Sequence, residues 1–350
     1  MQSLWDRVER NRFRLASAVA LFVLGTVLGI DALAVLVALP FAFFVSLQPG
    51  GLEATGVLLS VVGWTSLVAA VAAAAWTTVA LARSERWLVR RLGAEILPKG
   101  EALPSKMAIK DMALAAGITP APAMYVLETS NVNAFVFASS RRRPIVGVTR
   151  GLIDRLSIDE QRAVFANLVA RLRSGDTIYA TGVTALTRPL WYARDRQLRD
   201  SAEEDSAAML GMPTKAGEGQ DDAMVLGWLF FLAAAFVAIT EVAAFGSRRS
   251  QLKQAEVADA EGMLLLRDPK AMLSAIESCI RLDNYVPTGG PAFAQLFYCW
   301  TGDATSDEED PEWERVMRLR EVLGVEGMTP EKPLDPAFMA VAPPAPRLDD

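Results

Sequence analysis

The sequence predicts a mainly α fold with a small β-sheet, an α+β class, attached to transmembrane helices. Hydrophobic residues make up 52% of the 350 residues and charged residues only 22%, a balance typical of membrane proteins. Long apolar runs occupy most of the first 82 residues. Further along the chain, helical apolar spacing dominates, and only three short stretches rich in Val, Tyr and Phe indicate strands.

Two apolar runs predict a transmembrane hairpin over residues 15–82, preceded by a basic N-terminus over residues 1–14. Leu15–Leu47 is interrupted only by Asp31, and Ala54–Ala82 carries no charge. Each run exceeds the about 20 apolar residues that a spanning helix needs. The first run is also far longer than the about 7–15 apolar residues of a signal peptide. We therefore expect it to remain as an anchor.

Arginines flank both runs and predict the orientation in the membrane. The connection Gln48–Glu53 has no positive residue, whereas both outer flanks are basic, with Arg7, Arg10, Arg12 and Arg14 before the hairpin and Arg83, Arg86, Arg90 and Arg91 after it. Positive flanks favour the cytoplasmic side. The pattern predicts a multi-pass protein of the cell membrane whose main domain faces the cytoplasm. Asp31 is predicted to face the bundle interior or a protein partner, with an ion or proton site as the alternative.

A third apolar run predicts another membrane segment over residues 223–245. It is about long enough to span, and its charged flanks favour a cytoplasmic C-terminal end. That direction requires an earlier crossing, for which Thr177–Ala193 is the candidate, although it carries Arg188 and Pro189. Whether that stretch crosses, or the third segment dips in and returns, stays open.

The remaining chain predicts a cytoplasmic domain in two parts, residues 83–222 and 246–325, followed by a Pro-rich disordered tail over residues 326–350. The first part holds a helix and the three strands, and the second part holds three helices. These elements are predicted at Ser105–Ala116, Ala123–Glu128, Asn133–Ala138, Pro144–Val148, Ser250–Leu266, after Asp268-Pro269 and around Trp313–Leu323.

One further helix is predicted with both of its ends. Ser157 is a natural N-cap, and Glu160 three residues later completes a capping box. An apolar stripe at helical spacing follows, and Gly175 ends the helix. Asn167 and Arg171 are four residues apart, so they share one face.

Several classes of function are disfavoured by composition. The chain contains no histidine, which excludes Ser–His and Cys–His catalysis and any His-rich zinc site. Cys279 and Cys299 fit no thiolate metal motif; a reduced compartment or two inert core thiols explains them. The net charge of −6 argues against a nucleic-acid-binding surface. Nothing in the composition predicts an oligomeric state.

Several motifs, in order, resemble those of the M48 membrane zinc metallopeptidases, the HtpX-like group. They are Asn133-Ala134-Phe135, IVGVTRGLIDRLSIDEQRAVFA at Ile145–Ala166, AEVADA at Ala255–Ala260, Arg267-Asp268-Pro269, and DPEWER at Asp310–Arg315. The resemblance implies a gluzincin-like peptidase domain attached to the transmembrane helices. It also implies a zinc helix with the pattern His-Glu-x-x-His, in which two imidazoles bind the ion and the Glu activates water.

The chain departs from that pattern at each metal position. The two imidazole positions fall on Asn167 and Arg171, the catalytic Glu on Leu168 and the third ligand on Ala255; of the residues that the resemblance implies here, only the supporting aspartate is retained, as Asp259. An amide is a poor zinc ligand, and a guanidinium brings a permanent positive charge. Zinc or any other cofactor is therefore not expected.

A hypothesis follows for the replaced positions. We expect the Arg171 guanidinium to stand where zinc would sit and to pair with Asp259 or Glu256, because a buried carboxylate needs a partner. The alternative is that Arg171 is solvated on an open face.

The sequence thus predicts a multi-pass membrane protein with a catalytically dead M48-like domain that acts as a scaffold, regulator or polypeptide-binding protein. Its expected partners are the lipid bilayer and a membrane protein or peptidase. Asn133-Ala134-Phe135 resembles a sheet edge that accepts an extended peptide; an edge strand protected by a loop is the alternative. A working M48-type zinc metalloendopeptidase in membrane-protein quality control, and a transporter using Asp31 and Glu241, are the other functions considered.

Overall fold

The structure, a computed structural model, describes residues 4–46, 53–140, 143–186, 254–286, 293–299 and 311–324. Within these ranges the chain is mainly helical with one mixed sheet of four strands, so the predicted α+β class is confirmed. The predicted membrane segment 223–245 and the predicted tail 326–350 lie outside the described residues.

Two long helices form the N-terminal hairpin. Helix α1 (Leu4–Ser46) packs against α2 (Glu53–Ala82), and both are long and apolar enough to cross a membrane. Asp31 of α1 accepts hydrogen bonds from the hydroxyls of Thr65 at 2.8 Å and Ser66 at 2.6 Å. The prediction that Asp31 faces the bundle interior is therefore confirmed. Large apolar side chains cover the outer surface of the hairpin and are exposed.

The first part of the globular domain contains two helices and the sheet. The helices are α3 (Ser84–Leu92) and α4 (Leu103–Ala115), and the strands are β1 (Glu95–Ile96), β2 (Ala123–Leu127), β3 (Ala134–Phe137) and β4 (Ile145–Thr149). The strand order is β1-β2-β4-β3, with β2 and β4 parallel and the other two pairs antiparallel. The three predicted strands and the predicted helix agree with β2, β3, β4 and α4 to within two residues. The sequence analysis missed α3 and β1.

A close contact between β3 and β4 determines the position of β3 in the sheet. Phe135 of β3 is the cross-strand partner of Gly147 of β4. The Phe135 ring lies over this glycine, where a Cβ would be 1.9 Å from Cζ of Phe135. Only glycine leaves room for a ring at this position, so the pair fixes how β3 sits on β4.

Helices follow the sheet and cover it. They are α5 (Arg150–Arg155), α6 (Ile158–Ser174), α7 (Asp176–Leu186), α8 (254–266 in the described chain), α9 (Pro269–Arg281), a short 3-10 turn (Ala294–Leu296) and α10 (Pro311–Leu323). The predicted capping box of α6 is present, and Gly175 ends the helix in the left-handed conformation with φ of 80°. The predicted cap of α9 is also present, because the Asp268 side chain accepts from the Ala271 amide.

Helix α6 is the centre of the domain. It packs against α4, α7, α9 and β3, and residues 163–170 are all buried. Glu160 ties its first turn to α9, since its carboxylate accepts hydrogen bonds from Ser274 and Ser278, each at 2.7 Å. Burial opposes the charged form of Glu160, but these bonds and those from Ser157 lower its pKa below the ordinary value of 4.5.

We expect Glu160→Gln to be about 1 kcal/mol less stable than the natural protein at pH 7, because charge-assisted hydrogen bonds are lost. A lowered carboxyl pKa stabilises the folded state above the unfolded pKa, and this stabilisation is lost as the pH falls through the folded pKa. The difference between the two proteins should therefore shrink below pH 4.5. Urea unfolding from neutral to acidic pH measures it, and a pH-independent difference would contradict this account.

The N-terminal turns of α1 reach beyond the hairpin and contact the domain. Arg7 pairs with Glu261 of α8. The Asn11 side chain donates to the Ser174 carbonyl at 3.2 Å and to the Asp176 carboxylate at 2.5 Å. Helix α7, the described part of the candidate crossing Thr177–Ala193, packs against α1, α2 and α6, and residues 187–193 lie outside the described chain.

Candidate functional site

The site starts on one face of α6. Asn167 lies in the buried stretch of this helix and is only 1% exposed. A buried amide needs hydrogen-bond partners, and Nδ2 of Asn167 donates to Oδ1 of Asp259 at 2.7 Å. Asp259 belongs to α8 and is itself fully buried. Asn167 and Asp259, which the resemblance implied would share a site, are therefore in contact.

Helix α8 approaches α6 closely enough for this contact because it carries a glycine at the crossing point. A Cβ at Gly262 would lie 3.0 Å from the backbone nitrogen of Asn167 and 2.8 Å from Cε of Met272. These distances are shorter than ordinary van der Waals separations, so a larger residue would push the helices apart. The glycine thus positions Asp259 for its partners on the neighbouring helices.

The buried carboxylate of Asp259 is neutralised by Arg315 of α10. Nε of Arg315 donates to Oδ2 of Asp259, and Nη2 donates to Oδ1 at 2.6 Å. Nη1 donates to Glu312 at 3.0 Å and to the Tyr298 carbonyl at 2.9 Å. The guanidinium carbon also lies 4.7 Å from the centre of the Tyr298 ring. Arg315 therefore makes a bidentate ion pair with Asp259 inside the protein, and its Nη1 group donates to two further acceptors.

The charges around Arg315 maintain its ionised state. Burial alone would lower its pKa, but the carboxylates of Asp259 and Glu312 raise the pKa well above the ordinary value. Both carboxylates are buried as well, with Glu312 only 7% exposed. Pairing of this kind is what makes a buried charge tolerable. We call Asn167, Asp259, Glu312 and Arg315 the polar cluster.

The hypothesis that Arg171 pairs with Asp259 or Glu256 was wrong. Arg171 donates from Nη1 to the Phe297 carbonyl at 2.9 Å and from Nη2 to the Gln295 carbonyl. Asp259 is paired with Arg315 instead, and Glu256 forms a surface ion pair with Arg318 at 2.6 Å. The reason is that Arg315 of α10 lies next to Asp259, while the side chain of Arg171 extends to the segment 293–299.

Arg171 is also not the solvated arginine of the alternative. It is half-buried, and its pKa is lowered to about 10, mainly by burial and also by Arg315, while Asp176 opposes the shift. The side chain therefore stays positively charged at neutral pH. Main-chain carbonyls satisfy two of its donors, and the nearby carboxylates compensate its charge in part.

Residues 293–299, which we call the edge segment, lie along the outer edge of β3. Phe297 forms an antiparallel bridge with Phe135, and the Tyr298 amide donates to the Ala134 carbonyl at 2.7 Å. The Asn133 side chain continues the pairing, since it accepts from the Cys299 amide at 3.2 Å and donates to the Cys299 carbonyl at 3.1 Å. An external peptide could pair with β3 at this edge only by displacing the edge segment.

The residues at the metal positions do not fit a zinc ion. Zinc in proteins is bound by thiolate, imidazole and carboxylate groups. Here the implied ligand positions present the amide of Asn167, the guanidinium of Arg171 and the methyl group of Ala255. Leu168, at the position of the catalytic Glu, is buried in the core with no titratable group. The carboxylate of Asp259 is engaged by Arg315 and Asn167.

Comparison with known proteins shows similarity to curated relatives named Protease HtpX homolog. A protein named Protease HtpX homolog from Thermoanaerobacter pseudethanolicus is 26% identical over 200 residues, or 54% of this chain and 60% of that protein. A protein of the same name from Streptococcus pneumoniae is 26% identical over 231 residues, or 61% of this chain and 72% of that protein. The chain thus spans less than two thirds of the length of the first relative. These similarities support the resemblance to the HtpX-like group.

Two other comparisons give no match. No family model matches the chain, and no solved structure matches it significantly. The relationship therefore rests on sequence similarity to the curated relatives and on the order of the motifs. The chain is similar to HtpX-like proteases over about half its length, and its residues at the implied zinc positions differ from a zinc-binding set.

Sequence reasoning missed the residues that complete the site. Glu312 and Arg315 belong to the DPEWER motif. The motif was recognised in the sequence, but no role was predicted for either residue. The edge segment gave no signal, because Ala294–Leu296 is too short to show periodicity. Its pairing with β3 joins residues more than 150 positions apart, as in the bridge between Phe135 and Phe297.

Proposed function

We propose that this protein is a multi-pass membrane protein with a catalytically inactive HtpX-like domain that serves as a scaffold, regulator or polypeptide-binding module. The observation that carries the proposal is the bidentate ion pair between Asp259 and Arg315, buried where the resemblance implies a zinc site. Function depends on the site rather than on the fold. This site offers no metal ligand set and no general base at Leu168.

The polar cluster supports a structural role for the former metal site. Asn167 belongs to α6, Asp259 to α8, and Glu312 and Arg315 to α10, so their bonds hold three helices together. A structural metal ion holds elements together in a similar way. In this protein we infer that an organic cation, the Arg315 guanidinium, provides that link without hydrolytic chemistry.

The proposed location follows from α1 and α2. Both helices are long and apolar enough to cross a bilayer, and the arginines at their outer ends favour a cytoplasmic domain. A partner in the same membrane, either a client protein or an active peptidase, is the proposed ligand of the domain. Pairing of an extended polypeptide with β3, after release of the edge segment, is the proposed mode of binding.

A working zinc metalloendopeptidase is the second candidate, favoured by the names of the curated relatives. The two functions are separated by metal analysis and cleavage assays on the full chain purified in mild detergent. We expect substoichiometric zinc, no cleavage of casein or of a membrane-protein substrate, and no effect of a chelator. Added zinc should leave the thermal unfolding temperature unchanged, because a ligand that does not bind the folded state cannot stabilise it.

Stoichiometric zinc with chelator-sensitive cleavage would overturn the proposal of inactivity. A control for contaminating peptidase is Asp259→Ala, which removes the only retained residue of the implied site. Cleavage that persists unchanged in this variant would belong to a contaminant. The scaffold role is tested separately by crosslinking and co-purification from native membranes, and a protein that is always recovered alone would contradict it.

A further inference from the structure

Helix α7 of the domain packs against both helices of the membrane hairpin at Gly182. A Cβ at Gly182 of α7 would lie 2.5 Å from Cδ1 of Leu15 and 3.5 Å from Cδ2 of Leu81. Leu15 and Leu81 are the last strongly apolar residues of their helices before the basic flanks. The arginines that precede Leu15 on α1, and those that follow Leu81 at Arg83 and on α3, therefore lie at the same end of the hairpin.

Some of these arginines are used within the molecule. Arg7 pairs with Glu261. Arg14 places its guanidinium carbon 4.4 Å from the centre of the Tyr179 ring. These two side chains link α1 to the domain, so both guanidinium groups already have partners within the molecule.

Five other arginines at this level point to solvent. They are all exposed, and none belongs to an ion pair formed among the described residues. We call them the arginine collar: Arg10, Arg12, Arg83, Arg86 and Arg90.

The spacing brings the collar close to the membrane boundary. Arg12 is three residues before Leu15 in the same helix, or about 4.5 Å along the helix axis. Arg83 is two residues after Leu81, and α3, which carries Arg86 and Arg90, packs on α7. Phe13, adjacent to the collar residue Arg12, is 73% exposed, so an apolar ring lies beside the basic side chains.

We propose that the arginine collar is a binding surface for the headgroups of acidic phospholipids. Guanidinium groups bind phosphate oxygens with two parallel hydrogen bonds, and clustered basic residues beside a membrane helix attract anionic lipid. The first 92 residues contain arginine but no lysine, and the whole chain has a net charge of −6, so the positive collar is a local feature. The inference rests on insertion of α1 and α2 in a bilayer, as in the proposed function.

The test uses the full chain in detergent micelles with added phosphatidylglycerol or phosphatidylcholine, and native mass spectrometry counts bound lipid. We expect preferential binding of phosphatidylglycerol. In Arg12→Gln/Arg83→Gln this preference should fall roughly twenty-fivefold, or about fivefold for each arginine. The control Arg155→Gln/Arg267→Gln removes two exposed arginines outside the collar and should keep the preference.

Three outcomes would overturn the inference: equal binding of the two lipids, an equal loss in the control variant, or complete competition by inorganic phosphate, which would indicate a site for free phosphate. Carbonate extraction of native membranes separates this failure from that of the proposed function. A chain that resists extraction but shows no lipid preference contradicts only the collar. A chain that is extracted contradicts the membrane insertion on which both proposals depend.

Discussion

Arg315→Ala is expected to destabilise the folded protein by about 3–5 kcal/mol, because it removes the counter-ion of a buried carboxylate and leaves that carboxylate only the hydrogen bond from Asn167. Asp259 is 0% exposed and receives two hydrogen bonds from Arg315. Glu312 would also lose the hydrogen bond that it accepts from Arg315. Urea unfolding in mild detergent, followed by circular dichroism, measures the loss. A shift of this size in a domain of marginal stability should also lower the yield of folded protein.

A matched control lies on the same helix. Arg318 pairs with Glu256 and Glu314 on the surface, and its side chain is 49% exposed. Exposed pairs contribute about 0–1 kcal/mol, so Arg318→Ala should have little effect. Equal losses in the two variants would show that the buried pair has no special role. Removing both charges in Asp259→Leu/Arg315→Leu should recover part of the stability, since no unpaired aspartate remains.

Phe135→Ala is expected to cost about 3–5 kcal/mol, the range for deleting a large buried aromatic side chain. The ring is completely buried; it stacks with Phe137 at a centroid distance of 5.7 Å and makes a tilted contact with Phe297 at 5.5 Å. It also covers Gly147. The substitution removes the contact that holds the edge segment on β3. Hydrogen exchange of the Tyr298 amide, which bonds to the Ala134 carbonyl, should accelerate together with the loss of stability.

The control for this substitution is an exposed apolar residue elsewhere in the domain. Leu114 of α4 is 73% exposed, and Leu114→Ala should change the stability by about 0.5 kcal/mol or less. Unchanged exchange at Tyr298 in Phe135→Ala would show that the backbone bonds alone hold the edge segment.

Local signals in the sequence predicted the elements that depend on local physics. The capping box at Ser157 and the glycine at Gly175 defined α6 at both ends, because caps act through bonds within a few residues. The strands were found from their β-branched and aromatic content. The parallel pairing of β2 with β4 was not predicted. These strands are separated in the chain by β3, so their pairing depends on long-range contacts.

The candidate site was predicted in part for the same reason. The spacing of Asn167 and Arg171 placed both on one face of α6, and the resemblance brought Asp259 to that face. The identity of the partner of Asp259 was not predictable by periodicity, because Arg315 comes from a helix 56 residues further along the chain. Arg315 pairs with Asp259 and Arg171 does not, because of where α10 lies in the fold.

The length of helix α1 has a consequence for how the membrane segment and the domain are connected. Its 43 residues span about 65 Å, roughly twice the about 30 Å of a bilayer's hydrocarbon interior. Arg7 and Asn11 link its N-terminal end to α8 and to the junction of α6 and α7, so in the proposed arrangement one continuous helix joins the bilayer to the domain. In that arrangement, a change in the tilt of α1 within the bilayer would also act on the end of α6 through the Asn11 contacts.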